Sequence, residues 1–206
     1  MAAAIFLVAT VATVGSSGEK PTVLMTARGE TAPQIVGIYG LQLEIQREEI
    51  PMLHKLNNAG YAVVIASESG AKIMAGQAEL NVDKKLSDVE VQDYVGVIVP
   101  CMGEVAGAIP QKAVQIIQNA YRRNLPIAAQ MSGVMILGAA GVLQGKNFTI
   151  GEGWEYYIKG GTFKGIGVVQ DGNTVTSGTC PYLAAMSSLK DGTDELMTTF
   201  IGLLKK

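Results

Sequence analysis

The chain has 206 residues, of which 48% are hydrophobic and 17% charged, and a formal net charge of -2. That length and apolar content suit one substantial core and a single α/β domain. Clustered basic residues are few; Arg122-Arg123 and Lys205-Lys206 read as solvated helix ends, and with no long run of one sign the sequence does not point to a nucleic-acid surface.

The first segment, "MAAAIFLVATVATVGSSGEK", carries no charged side chain before Glu19. Residues 2–14 are apolar or Thr, too few for a transmembrane helix, and small residues follow. Residues 1–17 are therefore expected to be a signal peptide cleaved near Gly15 to Ser17, although the usual basic residues are missing. The alternative is that "AIFLVATVATV" is a core segment of the folded domain. On the first reading the mature chain, residues 18–206, is a single exported domain, periplasmic or secreted, with no remaining membrane span.

"TVLMTA" (22–27) reads as a strand, and "RGETAPQIVGIYG" as a long loop. "LQLEIQREEIPMLHKLNNAG" has apolar residues at helical spacing and stops at Gly60. "YAVVIAS" (61–67) is a buried strand, a looser stretch runs to Asp93, and "YVGVIVP" (94–100) is a third strand stopped by Pro100. "PQKAVQIIQNAYRRN" is a helix with Pro in its first turn and Val114, Ile117 and Tyr121 on one side. "LPIAAQ" (125–130) is the fourth strand, and "GVMILGAAG" a helix after it. "FKGIGVVQDGNTVTSG" gives two strands about an Asp-Gly turn, and the last 26 residues one or two helices.

Apolar strands alternating with helices imply a mainly parallel sheet covered on both faces. Ligands of such sheets bind beyond the carboxyl ends of the strands. That narrows attention to Arg28-Gly29, Ser67-Glu68, Pro100 to Gly103, Gln130 to Gly133 and "SGTCP".

The chain has one histidine, His54, and two cysteines, Cys101 and Cys180. His54 sits in the second half of an amphipathic helix and reads as a surface or packing residue. Zinc sites want three or four clustered N, S or O donors at short spacing, and the sequence shows no such cluster, so neither a metal nor a cofactor is expected.

Four segments in order resemble the ThiJ/PfpI superfamily, the class I glutamine amidotransferase-like group, over about residues 21–204. They are "NAGYAVVIAS", "DYVGVIVPCMG", "AAQMSG" followed by "AAGVLQGKNFT", and "QDGNTVTSGTCP". Met131 precedes Gly141 by ten residues, which matches the spacing from the family's elbow cysteine to the Gly of its following Ala-Gly-Leu-Leu motif. The resemblance implies a flavodoxin-like α/β sandwich, and a homodimer because members commonly pair.

In register with that family, Met131 stands at the nucleophile's position and Ser132 at that of the activating histidine, with Gly133 next. A thioether has no proton to lose, and nucleophilic catalysis needs a thiolate or an activated hydroxyl. The resemblance also implies a helix glutamate facing the elbow. Counting back from Gly60 favours Glu48; counting forward from Gly40 favours Glu44; the alternative is that both face solvent. Cys101 replaces the first Gly of the family's Pro-Gly-Gly corner, Met102 follows and Gly103 remains, and Cys180 lies in a loop that in the family edges the same pocket. Cys101 and Cys180 are expected as two free, partly buried thiols, with a disulfide between them as the alternative. The resulting expectation is a member without thiol catalysis at the elbow, binding a small ligand or partner there. The alternatives are a hydrolase or amidase with a rewired nucleophile (Ser132 or a displaced Cys101) and a chaperone-like stress-protective protein.

Overall fold

The structure, a computed structural model, describes residues 19–27, 40–101 and 109–206. The expected signal segment 1–17, the Arg28-Gly29 strand end, Met102 and Gly103 lie outside them. Seven strands form the main sheet, in the order β10-β11-β7-β6-β1-β2-β5. They are β1 (Thr22–Thr26), β2 (Ala62–Ser67), β5 (Lys84–Lys85), β6 (Gly96–Val99), β7 (Ile127–Gln130), β10 (Val168–Asp171) and β11 (Thr174–Ser177). All neighbours are parallel except β10, which turns antiparallel to β11 across Gly172-Asn173, one residue later than the expected Asp-Gly turn. The mixed α/β sandwich with a mostly parallel central sheet is the flavodoxin-like architecture expected from the sequence.

Side chains alternate across the strands with period two. Leu24, Val97, Val99, Ile127 and Ala129 join one core with helices α2 (Gln111–Arg122) and α3 (Gly133–Ala139). Val23, Met25, Ile98, Ala128 and Val175 join the opposite core with α1 (Ile50–Asn58) and α5 (Thr193–Leu204). A short α4 (Pro181–Met186) precedes α5. Burial on both faces explains why the central strands read as continuous apolar runs.

Three helices stop in the same way. Gly60, Asn124 and Gly141 take φ of 94°, 58° and 75°. The following N–H groups, of Tyr61, Leu125 and Val142, reach back to the carbonyls of Leu56, Ala120 and Leu137. This is the left-handed cap that satisfies the last turn's carbonyls. It fixes where the chain re-enters β2 and β7.

Three local expectations change. Within the stretch read as loose, β3 (Ile73–Ala75) and β4 (Ala78–Leu80) form a hairpin about Gly76. β8 (Asn147–Phe148) and β9 (Thr162–Phe163) make a further two-stranded pair. Tyr121 is 46% exposed instead of packing with Val114 and Ile117, and its ring lies 5.7 Å beneath the Lys146 ammonium. Among the described residues no helix is long and apolar enough to cross a membrane.

Candidate functional site

The elbow lies between β7 and α3. Met131 takes φ 47°, a left-handed conformation that a non-glycine residue adopts only at a cost of about 1–2 kcal/mol. Its N–H donates to Ser177 at 2.8 Å, and its carbonyl accepts from Val134 at 3.0 Å. The turn is thus clamped between the end of β11 and the first turn of α3. Gly133 permits the tight approach, since a Cβ there would collide with the Val99 carbonyl and stand 2.6 Å from that of Pro100. The Met131 thioether fills the space against Gly151 and packs with Cys101 and Cys180.

The helix that carries the glutamates is irregular. Residues 40–44 are α-helical, Ile45–Glu49 form a π turn, and α1 continues from Ile50. The π turn is closed by the bond from the Ile50 N–H to the Ile45 carbonyl, and such widened turns frequently occur at functional sites. Gln46 and Arg47 face out, whereas Glu44, Glu48 and Glu49 are all fully buried. The choice between Glu44 and Glu48 therefore dissolves, and the solvent-facing alternative does not hold. Glu48 accepts the Cys101 N–H at 2.6 Å. Glu44 accepts the Cys180 thiol at 3.0 Å and the Tyr182 N–H at 3.2 Å.

The two carboxyls also hydrogen-bond each other. Burial, then the neighbouring Glu44, then Glu49 and Cys101 push the Glu48 pKa well above the usual carboxylate range. A protonated Glu48 donates from one oxygen to Glu44 while the other accepts from Cys101. The Cys180 thiol is likewise pushed up, first by its hydrogen bond with Cys101, then by burial and by the charges of Cys101, Glu44 and Glu48. Cys101 and Cys180 are both buried thiols outside any disulfide, and Cys101 Sγ lies 3.5 Å from Ser132 Oγ. This agrees with the expectation of two free thiols and goes beyond it in burial. His54 is exposed on α1, so the chain's sole imidazole stands outside this buried cluster.

Glu48 gives the fold a pH dependence of definite sign. In the unfolded chain it releases its proton near about pH 4.3; in the folded chain it keeps the proton to higher pH. The stabilisation this gives is fully present below the unfolded value and is lost as pH rises towards and through the folded one. Glu48→Gln keeps an acceptor for Cys101 and a donor for Glu44 without the ionisation. Urea denaturation from pH 5 to pH 8 should show the variant gaining stability relative to the wild type as pH rises. A difference that stays constant with pH would contradict this assignment of the proton.

Glu44, Cys101 and Cys180 also form a group that the sequence reading missed as a set of donors. One carboxylate oxygen and the two sulfurs all lie within 4.8 Å of one another. The expectation of no metal-capable cluster rested on short spacing along the chain, but these residues come from three separate elements. The π-turn helix supplies Glu44, the end of β6 supplies Cys101, and the loop between β11 and α4 supplies Cys180. That loop is held by Gln130, fully buried at the end of β7, whose Nε2 donates to the Thr179 carbonyl at 2.5 Å and to Thr193 Oγ1 at 3.0 Å.

Comparison with known proteins agrees with this geometry at the level of fold and family. An uncharacterized protein of Archaeoglobus fulgidus is 30% identical over 130 residues, covering 61% of this chain and 77% of that protein. The ThiJ/PfpI domain protein from Brachyspira murdochii superimposes with a TM-score of 0.66 at 16% identity, over 91% of this chain and 98% of that one. Drosophila melanogaster DJ-1beta does so with a TM-score of 0.57 at 19% identity, over 90% and 98%. At such identities the two structures speak for the fold alone. The family model described as the DJ-1/PfpI family matches residues 45–189, a span that holds the elbow, both cysteines and Glu48, and the chain belongs to that family.

Proposed function

We propose that this DJ-1/PfpI-family chain is a binding protein that performs no thiol catalysis at its elbow, and that its ligand is taken up at the cluster of Met131, Cys101, Cys180, Glu44 and Glu48. The observation that carries this is the occupant of the strained turn. The fold supports the left-handed elbow with clamps on both sides, yet the side chain placed there is a thioether. A nucleophile needs an ionisable group with a base in reach. The two thiols lie on neighbouring segments, where they are buried and Cys180 donates to a carboxylate. Ser132 contacts a thiol, and the chain's sole imidazole is elsewhere. The apolar run of residues 2–14 supports export after loss of residues 1–17, and family resemblance supports a homodimer.

Soaking crystals with a library of small molecules and ions tests the reading. Density in contact with Met131, Cys101 or Cys180 is the expected result. Ligands that occupy only surfaces remote from the elbow would count against it.

A further inference from the structure

The ligand can be given a chemistry, and this step rests on the binding reading above. Two sulfurs and a carboxylate oxygen converge from three elements onto one buried point, with Cys101 5%, Cys180 1% and Glu44 0% exposed. We propose that Glu44, Cys101 and Cys180 form a binding site for a zinc-class divalent metal ion.

Distances suit such an ion. Tetrahedral bonds of about 2.3 Å to sulfur and about 2.0 Å to oxygen separate the donors by roughly 3.5–3.8 Å. Donors already within 4.8 Å of one another need only small rotations about their side-chain bonds. The donor types narrow the choice. Two thiolates select against magnesium and calcium, which take oxygen ligands. A carboxylate beside them suits zinc better than copper(I), whose partners are soft sulfurs. One divalent ion enters and the two thiol protons leave to solvent. Two thiolates, one carboxylate and the ion sum to a charge of -1, the same as a zinc site of three cysteines and one histidine.

The surroundings hold the donors in place. The Tyr182 N–H fixes Glu44 at 3.2 Å. Glu48 hydrogen-bonds Glu44 and takes the Cys101 N–H, so one side chain braces two of the three donors. Ser132 Oγ sits 3.5 Å from the Cys101 sulfur and can donate to a thiolate there. Outer partners of this kind orient metal ligands and raise their affinity. The thioether of Met131 covers the cluster with an apolar group where a cysteine would add a third thiolate.

Cobalt(II) added to the reduced full-length chain is the probe. One equivalent should produce a near-ultraviolet thiolate-to-cobalt charge-transfer band with tetrahedral visible bands, and zinc(II) should abolish both. Cys101→Ser and Cys180→Ser should each weaken binding by more than about 100-fold, and Glu44→Gln by about 10–100-fold. Absence of the band in the wild type, or its survival in either serine variant, would overturn the proposal. X-ray absorption of the zinc-loaded wild type gives a reading independent of any variant's folding. Two sulfurs at about 2.3 Å with oxygen at about 2.0 Å support the site, and a shell of only nitrogen and oxygen overturns it. A cobalt spectrum without thiolate bands removes the metal and leaves the binding reading standing. The binding reading fails by a different sign, a covalent catalytic intermediate.

Discussion

Gly133→Val is expected to leave no cooperatively folded protein. Gly133 opens α3 immediately after the elbow, and the space where its Cβ would stand is already taken by the carbonyl oxygens of Val99 and Pro100. These are backbone atoms at the end of β6, a strand flanked by β1 and β7: Val99 is registered against Ala129 and Pro100 follows it directly, so they cannot move aside singly. Even Gly133→Ala should cost about 3 kcal/mol or more, at the upper end of overpacking effects. Gly138→Ala in the same helix is the control. Its added methyl would meet only side-chain atoms of Ile158, the nearest at 3.0 Å, and alanine's helix propensity offsets the contact. Urea denaturation followed by circular dichroism should separate the two alanine variants clearly. Equal midpoints would mean that the elbow does not press against β6.

Gln130→Met should lower stability by about 1–3 kcal/mol and should also disturb Cys180. Methionine fills the same volume but cannot hydrogen-bond. It takes one donor from the Thr179 carbonyl, which keeps the Gly192 N–H and the Ser177 hydroxyl, and one partner from Thr193, which keeps Asp191, all within the buried junction of β7, the Cys180 loop and α5. A buried hydrogen bond contributes about 0.5–1.5 kcal/mol net, and the contacts to both Thr179 and Thr193 are lost here. Because Thr179 adjoins Cys180, loss of the tether should release the thiol that Glu44 holds. Alkylation of Cys180 by iodoacetamide in the native state should therefore rise together with the fall in urea midpoint. A destabilised variant whose Cys180 stays as slow as in the wild type would show that the loop is held by other contacts.

Much of the scaffold was legible because parallel strands buried on both faces leave long apolar runs, and because Gly60 and Gly141 stop helices only they can stop cheaply. The elbow was legible from the ten-residue interval between Met131 and Gly141. Short elements were not. The three-residue strands β3 and β4 and the two-residue β8 and β9 carry too few side chains to show a period. Tyr121 follows the helical stripe of Val114 and Ile117, but its ring lies out over the surface beneath Lys146, a contact 25 residues away in sequence that no stripe reports.

The glutamates show a different limit. Counting along a helix assumes 3.6 residues per turn throughout, and the π turn at Ile45–Glu49 breaks that assumption. Two registers that looked like rivals both point inwards. The donor set of Glu44, Cys101 and Cys180 was hidden for the same general reason. Its members are 57 and 79 residues apart, and only the parallel topology, which gathers strand ends on one side of the sheet, brings them together.

The central claim is that the elbow position holds no working nucleophile and that the buried thiols do not replace it. Intact-mass spectrometry with peptide mapping, after brief exposure of the native chain to an activated ester, tests this most directly. The wild type should gain no acyl group at Ser132, Cys101 or Cys180, whereas Met131→Cys in a Cys101→Ser, Cys180→Ser background should become acylated at residue 131 and turn over poorly for want of a base. An acyl group on Ser132 or Cys101 of the wild type that forms and is released with each turnover would contradict the account.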